Sequence, residues 1–150
     1  MAEFSPHSGF IKNGRHILPL RVYYEDTDAG GVVYYANYLK YMERGRSDML
    51  RKLGISQEKM LKFSGAGDIK FVVTRSEIDY VKSARLDDEI TVHTNISRLG
   101  KASLVMTQEI RRSEELLTKG IIKVAALNAE NKPARLPKTI LEKFNEVTKE

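Results

Sequence analysis

The chain has 150 residues, 41% of them hydrophobic and 30% charged, the make-up of one ordinary globular domain with enough apolar side chain to bury a core. It contains no cysteine, which excludes disulfide scaffolds, thiolate-bound zinc, iron–sulfur clusters and cysteine nucleophiles together. The formal charge of +5 invites a nucleic-acid reading, yet the basic residues alternate with acids, as in Arg85-Leu86-Asp87-Asp88-Glu89, and nucleic acid is not expected as a partner.

Residues 1–15 mix Pro, Gly, Ser and Asn with scattered apolar residues and are expected to form a loose, flexible terminal segment ahead of a single domain over 16–150. They show no apolar h-region of the secretory kind, and no window of about 18 apolar residues occurs in the chain, so a soluble cytoplasmic protein is expected. Residues 16–25 (HILPLRVYYE) read as a first strand, with Pro19 favouring an edge. The run DTDAGG interrupts it.

From Asn37 to Leu53, the residues Tyr38, Met42, Gly45, Met49 and Leu53 recur at steps of four, three, four and four, which predicts an amphipathic helix of about five turns. Gly45 would let that helix approach a neighbour closely. Gly54 reads as its stop, followed by a short helical turn around Ser56 to Met60 and the loop FSGAGD. Four alternating runs then predict strands over 69–83, 89–98, 102–112 and 116–128, divided by turns at Leu99-Gly100-Lys101 and Ser113-Glu114-Glu115. These connections are too short for parallel crossovers, so the sheet should be an antiparallel meander. A short helix from Pro137 would present Ile140, Leu141 and Phe144. The sum is an α+β domain whose sheet curls around one long helix, with a second sheet face and an open edge that call for an oligomer.

The three histidines, His7, His16 and His93, form no metal-binding pair and accompany no Gly-x-Ser-x-Gly elbow, so neither a metal site nor a serine triad is expected. Asp26-Thr27-Asp28-Ala29-Gly30-Gly31 begins like a calcium loop, but Gly30 removes one ligand and Asn37 stands where a bidentate Glu is needed. Two readings remain. Asp and Gly serve turn geometry there, or a carboxylate is held at a cleft beside a helix N-terminus. The second suits thioester hydrolysis, because helix amides can stabilise an oxyanion and a thiolate departs without a strong general acid. The carboxylate would then activate water or attack the carbonyl itself.

The run from Arg21, RVYYEDTDAGGVVYYANYLKYMERGRSDMLRKLGIS, resembles the four-hydroxybenzoyl-CoA thioesterase family of hotdog proteins, nearest its Tol-Pal-associated, YbgC-like branch. Arg21-Val22, Thr27-Asp28, Gly31-Val32-Val33, Ala36 and Tyr38 keep the spacing of the family signature. Arg85 to Asp88, Ser103 to Val105 with Thr107-Gln108, and Ala134 to Lys138 extend the likeness.

The resemblance implies a hotdog fold, dimers sharing a continuous sheet and pairing into homotetramers, and hydrolysis of a short- or medium-chain acyl-CoA or an acyl carrier protein thioester without a cofactor. It puts the catalytic carboxylate on Asp28 and the oxyanion donor at the backbone N–H near Tyr35, where the nearest branch usually has His. By the same likeness Arg98 and Lys101 would contact the CoA phosphates, and an envelope-related partner is implied by the family name alone. Two rivals are a dehydratase, which would need a histidine in the cleft, and a non-catalytic acyl-CoA or acyl-carrier-protein binder whose Asp28 does nothing.

Overall fold

The computed structural model describes residues 4–56 and 69–148. In chain order they form β1 (Phe10–Lys12), β2 (Arg15–Arg21), α1 (Asn37–Lys52), β3 (Lys70–Tyr80), β4 (Glu89–Leu99), β5 (Ser103–Arg112), β6 (Glu115–Leu127) and α2 (Lys138–Thr148). The strands make one antiparallel sheet in the order β1-β2-β4-β5-β6-β3, and with the two helices this is the α+β hotdog arrangement that the sequence led us to expect. The short helical turn and the FSGAGD loop expected after Ser56 lie largely outside the described residues.

Alternation drives the sheet onto α1. Along β6 the buried positions Gly120, Ile122, Val124 and Ala126 alternate with exposed or half-buried ones. The inward row Thr94, Gln108, Gly120 runs across three strands in register, opposite the middle of the helix. On α1, Tyr38, Tyr41, Met42, Gly45 and Met49 are buried, which is the predicted stripe with Tyr41 added and without Leu53, the half-buried C-cap just past the helix end. Each such large apolar side chain contributes about 1.5–3 kcal/mol when fully withdrawn from water. The second helix closes one end, with the Phe144 ring 6.4 Å from that of Phe71.

Two expectations need correcting. Residues 10–12 are not loose: they form β1, and Asn13 and Gly14, with φ of 52° and 74°, make the two-residue turn that folds β1 back on β2. Asn-Gly is the dipeptide that such a hairpin favours because both positions need positive φ. Ser8 Oγ and Gly9 N–H each donate to the Asp48 carboxylate at 2.8 Å, which ties the segment down further. Since β1 covers β2 only from Arg15 to Ile17, Pro19 still sits where no neighbour on that side needs its missing N–H.

The sheet is also not a simple meander, because β3 lies at the far edge beside β6 instead of next to β2. The link over 81–88 carries the chain back past the N-terminal end of α1. Ala84 N–H donates to the Tyr38 hydroxyl at 2.9 Å, and the Ala84 carbonyl accepts from Val33 N–H at 2.9 Å. These contacts fix the crossing, and they leave β3 an edge strand of 11 residues.

Candidate active site

The DTDAGG run forms a tight reversal whose stems are bridged at Thr27 and Val33. A 3-10 turn over Tyr24–Asp26 leads into it, capped at its start by the Asp26 carboxylate accepting Tyr23 N–H at 2.8 Å. That turn ends β2 at Arg21, short of the expected Glu25. The Asp26 carbonyl then accepts from Tyr34 N–H at 3.0 Å and from Asn37 Nδ2 at 2.8 Å, so the loop is stapled to the first residues of α1.

Asp28 sits at the tip of this reversal, exposed. Its N–H donates to the Val32 carbonyl at 2.9 Å, and its Oδ1 accepts from Gly30 N–H at 2.8 Å. The turn needs Gly31, whose φ is 78°. Asp28 thus serves the turn through Oδ1, as the first of the two sequence readings has it, on an exposed tip. Asp26 is a turn residue, its carboxylate accepting Tyr23 N–H.

Tyr35 lies in the turn that starts α1, where Asn37 N–H donates to the Tyr34 carbonyl at 2.8 Å. None of the backbone hydrogen bonds of this turn uses the Tyr35 N–H. The Tyr35 ring is 60% exposed, edge-on to Tyr80 at 5.9 Å and tilted against Tyr34 at 5.0 Å. With Tyr23 and Tyr24 also exposed, the reversal carrying Asp28 is flanked by aromatic surface. Beneath it, burial and then the neighbouring Asp26 carboxylate push the Tyr41 hydroxyl above its ordinary pKa, and that hydroxyl has no hydrogen-bond partner of normal geometry among the described residues.

Arg98 and Lys101 are not brought to Asp28. The reversal lies at the Glu89 end of β4, where Val32 bridges to Arg85, while Arg98 stands nine residues further along the same strand. At 3.3 Å per residue that is about 30 Å. Arg98 follows a bulge in β4 and lines a basin on the outer sheet face together with Arg75, Glu77, Ser103 and Lys123. Lys101 is exposed in the adjoining turn, its carbonyl holding Leu136 N–H at 2.8 Å, and its side chain does not line the basin.

Arg75 and Lys123 escaped the sequence reading. They face each other as register partners of β3 and β6, and only the strand order reveals that pairing. Arg75 is ion-paired to Glu77.

Neither His16 nor His93 is hydrogen-bonded to the Asp28 reversal. His93 lies on the outer face 2.9 Å from Thr91 Oγ1, and His16 is buried against Asp48. Among the described residues no group of three or more His, Cys, Asp or Glu could hold a metal ion.

The thioesterase superfamily model matches residues 30–119. The acyl-CoA thioesterase YbgC of Haemophilus influenzae is 40% identical over 129 residues, covering 85% of this chain and 93% of that protein. The acyl-CoA thioester hydrolase YbgC of an Escherichia coli strain is 42% identical over 130 residues, covering 85% and 94%. Among solved structures, a probable thioesterase from Bartonella henselae matches with a TM-score of 0.78 at 40% identity, over 82% of this chain and 99% of that one. The chain belongs to the thioesterase superfamily.

Proposed function

We propose that the protein hydrolyses short- or medium-chain acyl-CoA thioesters to free acid and CoA, with Asp28 as general base or nucleophile and the N-terminal amides of α1 as oxyanion hole. The observation that supports this is the stapling of the Asp28 reversal to the start of α1 through the Asp26 carbonyl, together with the Tyr35 N–H just before the helix, which no backbone hydrogen bond of that turn uses. The names of the YbgC relatives supply the substrate class.

With water as nucleophile, the free Asp28 oxygen takes its proton as the oxygen attacks the thioester carbon. The negative charge that develops on the carbonyl oxygen is met by Tyr35 N–H, and collapse expels the CoA thiolate, whose low basicity spares the site a strong acid. Arg98 and Lys101 would hold the CoA phosphates. Their distance from Asp28 within one chain requires that they act from another copy, and the open edge of β3 gives such an assembly a pairing surface. Dimers of dimers in the cytoplasm follow from the same reading. No helix among the described residues is long and apolar enough to cross a membrane.

The Asp28–Gly30 bond favours one alternative, a binder of acyl-CoA or acyl carrier protein in which Asp28 only shapes the turn. Thiol release from a panel of acyl-CoAs separates the two. Asp28→Asn keeps an oxygen for Gly30 but removes the basic carboxylate, and is expected to lower turnover by at least about a hundredfold. Equal activity of the variant, or an inert wild type, refutes the hydrolytic role.

A further inference from the structure

Between the second half of α1 and strands β3, β5 and β6 lies a cleft of 160 Å³ that none of the foregoing uses. Leu104, Met106, Val124 and Phe144 make it apolar, and Glu43 and Arg46 stand on its helix side. Arg46 follows Gly45, where the helix comes so close to the sheet that a Cβ would lie 2.8 Å from Val92 Cγ1. Its side chain is thereby drawn inward, and burial lowers its guanidinium pKa.

What holds Arg46 is neutral. Its Nη1 donates to Gln108 Oε1 at 2.9 Å, and Gln108 cannot turn away because its Nε2 donates to the Met42 carbonyl and to Thr94 Oγ1, both at 2.9 Å. Glu43, one turn back, accepts from Ser47 Oγ at 3.1 Å, and Arg46 makes no ion pair among the described residues. Arg46 is thus a positioned, part-buried guanidinium at an apolar cleft, with the Glu43 carboxylate acting on its charge from the same wall but no ion pair closed among the described residues, and its planar fork fits a carboxylate. Apolar cavities of about 150 Å³ accept a molecule the size of benzene, roughly six carbons.

We infer that this cleft binds a short-chain monocarboxylate, with its head on Arg46 and a tail of about six carbons among Leu104, Met106 and Val124. Such an acid is the product class of the proposed reaction, but the inference stands apart from it. Asp28 belongs to the N-terminal end of α1, and Arg46 is nine residues beyond Asn37, about 14 Å along the axis.

The test is calorimetric titration of hexanoate and of hexanol into the full chain and three variants, with light scattering to follow assembly. Hexanoate should bind the wild type at least about tenfold more tightly than hexanol does, and Arg46→Met should remove that advantage, the loss expected for one charge-assisted contact. Val73→Trp fills the cleft from its half-exposed rim without emptying the core, and should abolish hexanoate binding while Arg46 stays. Asp28→Asn should bind hexanoate normally, and a wild type that fails to hydrolyse thioesters yet binds hexanoate overturns the proposed function alone. Equal binding of acid and alcohol, or of hexanoate by wild type and Arg46→Met, overturns the inference. So does a wild type that ignores hexanoate, and if Arg46→Met then also breaks up the assembly, the cleft belongs to a second copy.

Discussion

His16 Nε2 lies 2.7 Å from Asp48 Oδ2, joining β2 to α1 through two buried side chains. Burial lowers the His16 pKa from its ordinary 6.5 despite the opposing pull of Asp48. Burial works to raise the Asp48 carboxyl, yet the hydrogen bonds from Gly9, Ser8 and His16 outweigh it and hold the group below its ordinary 3.8. In both cases the unfolded chain binds the proton more readily, so stability falls as the solution is acidified. The loss begins below about pH 6.5 through His16 and deepens below about pH 3.8 through Asp48, with one group giving at most about 1.4 kcal/mol per pH unit. Urea midpoints measured between pH 8 and pH 5 should therefore decline, and His16→Gln should flatten that part of the curve. A wild-type profile already flat from pH 6.5 to 5 would contradict the buried neutral histidine.

Gly45 marks the closest approach of helix and sheet. An added Cβ would meet Val92 Cγ1 at 2.8 Å, Thr94 Oγ1 at 3.1 Å and Gln108 Nε2 at 3.2 Å. None of these can swing aside, since Val92 and Thr94 are buried in β4 and Gln108 is held at both ends. Gly45→Ala should gain up to about 1 kcal/mol of helix propensity and lose about 1–3 kcal/mol to overpacking, so that the net change is destabilising. A raised urea midpoint would show that the sheet gives way more easily than the contacts imply.

The helix and four long strands were legible because their apolar period is long and uninterrupted, and the turn at Asp28 ahead of the helix was legible because the contiguous DTDAGG stretch carries its Asp and Gly. The β1 hairpin was missed although Asn13-Gly14 announces it, since three residues of strand give too little alternation to weigh against a polar terminal composition. The place of β3 was hidden for a different reason. It depends on how the 81–88 link is pinned by Tyr38 and Val33, contacts that join residues about fifty positions apart. Arg75 and Lys123 became neighbours only through that strand order, and the neutral grip of Gln108 on Arg46 likewise depends on register.

At Tyr35 the side chain and the main chain can be tested apart. If the backbone N–H is the oxyanion donor, Tyr35→Phe and Tyr35→Ala should leave kcat within a few-fold of wild type, because neither alters the amide. Tyr35 is the second residue of the turn closed by Asn37 N–H on the Tyr34 carbonyl, a position that accepts proline. Tyr35→Pro should thus retain the fold while removing the donor, and should lower kcat by roughly 10²–10³. Full activity of the proline variant in a thiol-release assay would move the oxyanion hole elsewhere, whereas a loss shared equally by the alanine variant would assign the effect to the ring.

The outer basin carries more positive than negative side chains. Arg98, Lys123 and the neighbouring Lys101 are exposed, and an exposed charge pairing with a phosphate is worth no more than about 1 kcal/mol, so single substitutions should move KM only a few-fold. Arg75 should count for less because Glu77 already neutralises it. Reversing two charges together, Arg98→Glu with Lys101→Glu, should raise KM for an acyl-CoA about tenfold at low salt and leave kcat unchanged, since binding is lost equally from ground and transition states. The same pair should leave hydrolysis of an acyl-pantetheine unaffected, as that substrate lacks the nucleotide. Added salt should shrink the difference between wild type and variant through screening. If KM for acyl-CoA stays put, the nucleotide lies elsewhere. If acyl-pantetheine suffers as much as acyl-CoA, the substitutions act on the sheet rather than on phosphate recognition.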